Sequence, residues 1–141
     1  MRLSVFIANT LSTQLVIDLQ KIYLNYLVED SLTQQAIQQL LEQDSTRLYV
    51  TMFNERHIGA VKVQTKATQA TLSQLCIRDI TRRRGVGKNL LKQIESTLHA
   101  EGIEQIQYNL QEVAKDEYLS TQAFLMNSGY IIKDTIASKA I

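Results

Sequence analysis

The run Ile80-Thr81-Arg82-Arg83-Arg84-Gly85-Val86-Gly87-Lys88 gathers the residues of this chain best suited to holding an anion. Gly85 and Gly87 lack the Cβ that would keep a ligand off the main chain. Val86, Leu90, Leu91, Ile94 and Leu98 recur at helical spacing, so a helix begins at or just after the glycines. The free N–H groups and positive end of that helix point back into the loop. Arg82, Arg83, Arg84 and Lys88 add positive charge at the same place. Main-chain donors combined with flexible cations suit a pyrophosphate. The loop is neither a nucleotide P-loop nor a dinucleotide fingerprint, because GxxxxGK followed by Ser or Thr is absent and so is GxGxxG. A solvated basic turn with two conformational glycines is the competing explanation of the same letters.

Charge placement favours the anion site. The chain has 141 residues, 15 basic and 14 acidic, for a net charge of +1. Residues 1–46 carry two basic and five acidic groups, residues 47–99 ten and three, and residues 100–141 three and six. A segment of net +7 therefore lies between two of net −3. That pattern points to a local anionic ligand rather than to a polyanion. It argues against nucleic acid, which selects domains that are basic overall. Hydrophobic residues are 45% and charged residues 21%, the balance of a globular chain and not of a disordered one. The length suits a single domain, 1–141. A lone cysteine rules out an internal disulfide framework and a multi-cysteine zinc site. No apolar run approaches the ~18 residues that a membrane span requires. With no leader pattern at the start, a cytoplasmic location is expected, with no membrane partner.

The elements that position the loop follow from hydrophobic period. Residues 2–8 read as a strand. Ser12 or Thr13 caps a helix whose apolar face is Leu15, Val16, Leu19, Ile22, Tyr23 and Tyr26. Ser31-Leu32-Thr33-Gln34 is a capping-box pattern for a second helix, with Ala36, Ile37, Leu40 and Leu41 facing inward. Residues 47–53 and 57–65 alternate as a hairpin around a turn at Asn54, Glu55 and Arg56. Residues 70–78 form the strand that enters the loop. The helix behind the loop ends near Gly102. A strand over 103–110, a helix over about 120–128 stopping at Gly129, and a last strand over 130–133 complete the order β-α-α-β-β-β-α-β-α-β. This is an α+β domain with a mixed, mostly antiparallel sheet flanked by helices.

Arg82-x-x-Gly85-x-Gly87 resembles the Gln/Arg-x-x-Gly-x-Gly/Ala pyrophosphate loop of the GNAT acetyltransferase superfamily, and the order of elements resembles that fold along the whole chain. Gly129-Tyr130 is similar to the Gly-aromatic pair that follows the last GNAT helix. The resemblance implies acetyl-CoA or CoA as ligand. Leu75, Cys76 and Ile77 would lend main-chain groups to the pantetheine arm, and Thr81, Arg82, Arg83, Arg84, Gly85, Val86, Gly87 and Lys88 would hold the pyrophosphate. A closer resemblance rests on Ile17-Asp18-Leu19-Gln20-Lys21-Ile22, Phe53-Asn54-Glu55-Arg56 and Thr81-Arg82-Arg83-Arg84-Gly85-Val86-Gly87. These are similar to the PanM/PanZ family, GNAT-like factors that bind acetyl-CoA and the aspartate 1-decarboxylase proenzyme, PanD. Such factors promote its self-cleavage to the pyruvoyl enzyme and adjust its activity to CoA supply. The similarity is good over roughly residues 15–95. It implies a partner surface that includes Asn54, Arg82, Arg83 and Arg84. Met52 stands where that family can carry an arginine.

Acetyl transfer to an amine needs a base for the amine and an acid for the leaving thiolate. In many GNAT enzymes the acid is a tyrosine four residues before the glycine of the Gly-aromatic pair, and here that residue is Leu125. No Asp or Glu occurs from residue 67 to residue 78, where a catalytic carboxylate often lies. No catalytic residue is therefore assigned, and regulation by contact is expected ahead of amine N-acetylation. Tyr108, Tyr118 and Tyr130 are assigned to packing, and His57 and His99 to structural or surface roles. Cys76 is expected to be a buried small hydrophobe. Asp18 is expected on the surface of the first helix or in contact with a partner. No metal set is present.

Overall fold

A computed structural model describes residues 3–24, 29–78 and 85–141. Along them run β1 (Ser4–Ile7), α1 (Thr13–Ile22), α2 (Gln34–Glu42), β2 (Thr46–Phe53), β3 (Arg56–Lys66), β4 (Gln69–Ile77), α3 (Val86–Ala100), β5 (Gln105–Asn109), α4 (Tyr118–Asn127), β6 (Ile131–Lys133) and β7 (Ile136–Ala140). The strands make one sheet in the order β1-β2-β3-β4-β5-β7-β6. Neighbours are antiparallel except β4 and β5, which are parallel. A parallel pair needs a crossover, and α3 supplies it.

Both faces of the central strands are covered, which is why β2 and β3 are apolar at consecutive positions. Leu48, Val50 and Ala60 face α1 and α2, against Leu15, Leu19, Ile22 and Ile37. Tyr49, Val61, Val63 and Leu72 face α3, against Leu90, Leu91, Ile94 and Leu98. The apolar stripe expected for α3 is the buried one; of that expected for α1, Leu15, Leu19, Ile22 and Tyr23 are buried, Val16 is half-buried, and Tyr26 lies outside the described residues.

The helix starts are set by side-chain caps. Ser12 accepts from the Leu15 amide at 3.0 Å, satisfying one orphan donor of α1. The cap of α2 is Thr33, which accepts from the Ala36 amide at 3.1 Å. Ser31 instead belongs to a 3-10 turn over Glu29–Leu32, so the second helix starts later than the capping-box reading implies.

Two further boundaries differ from expectation. The β2–β3 turn consists of Asn54 and Glu55 alone, both with positive φ (50° and 64°), and Arg56 is already in β3, paired with Phe53. Such a two-residue turn matches the twist of the strands it joins. The segment after residue 133 is β7, which the sequence reading did not predict. A turn at Asp134 and Thr135, with Asp134 at φ 57°, folds it back between β5 and β6. Its Ala, Ser and Lys residues have little strand preference, so tertiary contacts, pairing on both sides first among them, define it.

Candidate functional site

The sheet splits beside the loop. β4 and β5 pair only from Gln69 with Gln105 to Leu72 with Tyr108. Beyond that, Ser73 pairs with Lys62 and Cys76 with Ala60, so Gln74 and Leu75 face Val61 alone. This is a β-bulge, with Gln74 at φ 55°, and it turns the end of β4 away from β5. Two tyrosines hold the bulge. Tyr23, at the C-terminal cap of α1, donates to the Gln74 carbonyl at 2.7 Å, and the Leu75 amide donates to the Tyr108 hydroxyl at 3.0 Å. A cavity of about 500 Å³ opens at the split, lined among others by Lys62, Ser73, Gln74, Tyr108, Asn109 and Glu112.

Of the expected pantetheine residues, Leu75 and Ile77 are half-buried with side chains toward the α3 face. Cys76 is buried and points the other way, its Sγ donating to the Ile22 carbonyl of α1 at 3.0 Å. Its thiol is therefore on the opposite face of the sheet from α3. The structure keeps all three main-chain units on the strand end that borders the split.

α3 begins at this edge. Gly85 is its N-terminal boundary, at φ 77°, and supplies no side-chain cap. The amides of Val86, Gly87 and Lys88 are by helix geometry without intrahelical acceptors. Gly87 sits where a Cβ would lie 3.1 Å from the Phe124 ring of α4 and 3.7 Å from Ile77. Its missing side chain thus lets β4, α3 and α4 close on one point. Val86 is buried and Lys88 exposed. Thr81, Arg82, Arg83 and Arg84 lie outside the described residues. The cradle that remains, a helix start with glycine at its N-cap and at its second residue beside an opened strand edge, fits a phosphate-bearing ligand with an extended amide arm.

The turn that carries Asn54 lies at the same end of the sheet as the end of β4, because Gly59 pairs with Ile77 and the Arg78 amide donates to the Ile58 carbonyl at 2.8 Å, and Asn54 and Glu55 are exposed. Beneath it is a group that the sequence reading misplaced. Asp18 is fully buried, not on the surface of α1. Its Oδ2 accepts from the His57 amide at 2.9 Å and lies 2.8 Å from His57 Nδ1. Its Oδ1 accepts from Arg56 Nε at 3.2 Å and Gln14 Nε2 at 2.7 Å. Burial opposes the charge, but the His57 amide and ring, Gln14 and Arg56 together hold the carboxyl below its ordinary value of 3.8. Spacing could have found it, because Asp18 falls three residues after Leu15 and four before Ile22, inside the buried stripe.

Tyr130 has a structural role, and His99 is exposed at the end of α3. Tyr130 donates to Glu95 at 3.0 Å, and burial and the Glu95 charge push its phenol well above the usual tyrosine range. Lys139 of β7 donates to Glu95 at 2.8 Å and to the Ser128 carbonyl at 3.0 Å. Leu125 is buried in the core. Among the described residues no group of three or more His, Cys, Asp or Glu could hold a metal. Among them, too, no helix is long and apolar enough to cross a membrane.

An opened β4–β5 pair facing the start of a crossover helix defines a GNAT-fold protein. The chain belongs, more narrowly, to the family described as acetyltransferase (GNAT) domain, PanZ, which it matches over residues 2–138. It is 37% identical over 94 residues to the PanD regulatory factor of Escherichia coli K12, covering 67% of each chain. The PanD regulatory factor of Salmonella typhimurium LT2 shows the same identity and coverage. The solution NMR structure of E. coli YhhK bound to coenzyme A superposes with a TM-score of 0.79, at 30% identity and 100% coverage of both chains. An aminoglycoside 6'-N-acetyltransferase complexed with coenzyme A shares the fold at a TM-score of 0.76 and 15% identity, over 99% of this chain and 97% of that one.

Proposed function

We propose that this chain is a CoA-gated regulatory factor of the aspartate 1-decarboxylase proenzyme, PanD. It binds acetyl-CoA or CoA and the proenzyme, and favours the proenzyme conformation that cleaves itself to the pyruvoyl form. The observation that carries the reading is the 37% identity to two PanD regulatory factors. The opened strand edge and the glycine-capped start of α3 support the ligand, as does the coenzyme A of the similar YhhK structure.

Leu75, Cys76 and Ile77 would offer main-chain groups to the pantetheine amides. Gly85, Val86, Gly87 and Lys88, with Thr81, Arg82, Arg83 and Arg84, would hold and neutralise the pyrophosphate. The Leu75 amide already donates to Tyr108, so that bond would be shared or exchanged on binding. Asn54 and the three arginines would meet the proenzyme. The bound thioester is sensed in this reading and not consumed. Burial of Leu125 in the core and the absence of a carboxylate from residue 67 to residue 78 support contact over acetyl transfer.

The test is a self-cleavage assay of the proenzyme with and without this protein and acetyl-CoA. Faster appearance of the two fragments only with both present is the expected result. Unchanged cleavage despite acetyl-CoA binding would overturn the reading and send the search to amine substrates. Gly85→Ala, which puts a side chain in the left-handed region, should weaken acetyl-CoA binding and cost about 1 kcal/mol of stability.

A further inference from the structure

The β2–β3 turn is built from residues that resist its shape. Asn54 at φ 50° is tolerable, because a short amide visits the left-handed region readily. Glu55 at φ 64° is not, and turns of this kind ordinarily place glycine there. The strand pairing beyond the turn is also irregular. Thr51 pairs with Gly59 but Met52 with His57, leaving Ile58 as an extra residue whose carbonyl accepts from Arg78 at 2.8 Å. A turn with an unfavourable residue at its tip and a bulge at its base needs a hold from outside the hairpin.

α1 provides one. The Asp18 carboxylate takes the main-chain N–H of His57, the His57 ring and the Arg56 guanidinium, the two residues that directly follow the turn. Gln14 occupies Oδ1 as well, so the carboxylate is fully engaged. Phe6 of β1 packs against the His57 ring, with centroids 6.2 Å apart, on the outer side. A buried carboxylate with four donors from two elements is costly unless every bond is made. Its geometry therefore ties the hairpin to α1 in one position.

We propose that Asp18 is a positioning residue that clamps the Asn54–Glu55 turn in its left-handed conformation, and that proenzyme docking depends on this clamp. The second half rests on the function proposed above. Asp18 itself is fully buried and acts through Arg56 and His57.

The test pairs Asp18→Asn with Glu55→Gly, because glycine adopts the turn without the clamp. ¹⁵N NMR of the full chain would follow the amides of residues 52–58, and hydrogen exchange the His57 N–H. Titration would measure acetyl-CoA and, with acetyl-CoA saturating, the proenzyme. In Asp18→Asn the turn amides should shift, the His57 N–H should exchange about 10-fold faster or more, and proenzyme affinity should fall about 10-fold or more, with acetyl-CoA affinity unchanged. Adding Glu55→Gly should restore most of the proenzyme affinity, which a general loss of stability would not allow. An unmoved turn in Asp18→Asn, or no recovery with Glu55→Gly, would overturn the clamp. Wild-type proenzyme affinity despite a moved turn would overturn the docking half. A wild-type chain that does not bind proenzyme would remove the proposed function and the docking half together, leaving the NMR shifts to decide the clamp. If Asp18→Asn does not fold, Arg56→Ala removes one donor from a partly exposed position, and the same Glu55→Gly rescue decides.

Discussion

Asp18 shows how one residue can be read correctly by period and wrongly by type. Its position belongs to the buried face of α1, yet a carboxylate there is stable only because β3 brings two residues to it. That pairing joins positions almost forty apart and leaves no mark in the local sequence. Its pH consequence has a definite sign. The folded carboxyl titrates below its ordinary 3.8, so its stabilisation is fully present above that value and is lost as pH falls through the lower folded value. Asp18→Asn should be less stable than the wild type by about 1–3 kcal/mol near neutrality, and the gap should narrow below pH 3.8. Urea unfolding curves at neutral and acid pH check this, and a gap that persists unchanged would contradict it. The residue scale also separates legible from illegible site groups. Gly85 and Gly87 were legible because glycine takes a positive φ without strain, as at Gly85, and leaves room for a close contact, as at Gly87 against Phe124. The tyrosines on the bulge were not, since Tyr23 and Tyr108 meet β4 only across the sheet.

Among the elements, β4 and β7 carry the least predictable features. β4 reads as one strand, and nothing in its letters announces the bulge at Gln74, a residue rarely found at positive φ. The bulge exists because Tyr23 takes the Gln74 carbonyl and Tyr108 takes the Leu75 amide, and it opens the edge on which the proposed ligand site depends. β7 exists because β5 and β6 pair with it from both sides. Its second anchor is Lys139, which joins Glu95 of α3 and the Ser128 carbonyl after α4 and lies 5.7 Å from the Tyr130 ring centre. Lys139→Met should leave Glu95 with Tyr130 as its hydrogen-bond partner among the described residues and cost about 1–3 kcal/mol. Chemical denaturation would show this as a lower midpoint with an unchanged slope. A midpoint equal to that of the wild type would mean that strand pairing alone holds β7.

For the whole molecule, the charge distribution and the sheet opening give two linked expectations. A segment of net +7 enters the proposed anion site, flanked by segments of net −3. Acetyl-CoA affinity should therefore fall with rising salt, as exposed charges are screened over ~10 Å at 0.1 M. Lys88→Glu should weaken it further, and calorimetric titration at two salt concentrations would measure both. If acetyl-CoA gates proenzyme binding, linkage requires that the proenzyme tighten acetyl-CoA binding by the same factor. Equal acetyl-CoA affinity with and without saturating proenzyme would exclude gating.

The sequence by itself determined the α+β class, the order of the first ten elements, the apolar stripes of α1 and α3, and the glycine-bearing start of the crossover helix. Each rests on a local period or on a residue type that one backbone shape demands. Tertiary structure alone decided that Asp18 is buried beneath the Asn54 turn, that β4 bends away from β5, that Cys76 faces α1, and that the last residues form a seventh strand inside the sheet. Those features are made by partners distant in sequence, whose hydrogen bonds outweigh the preferences of the residues that make them.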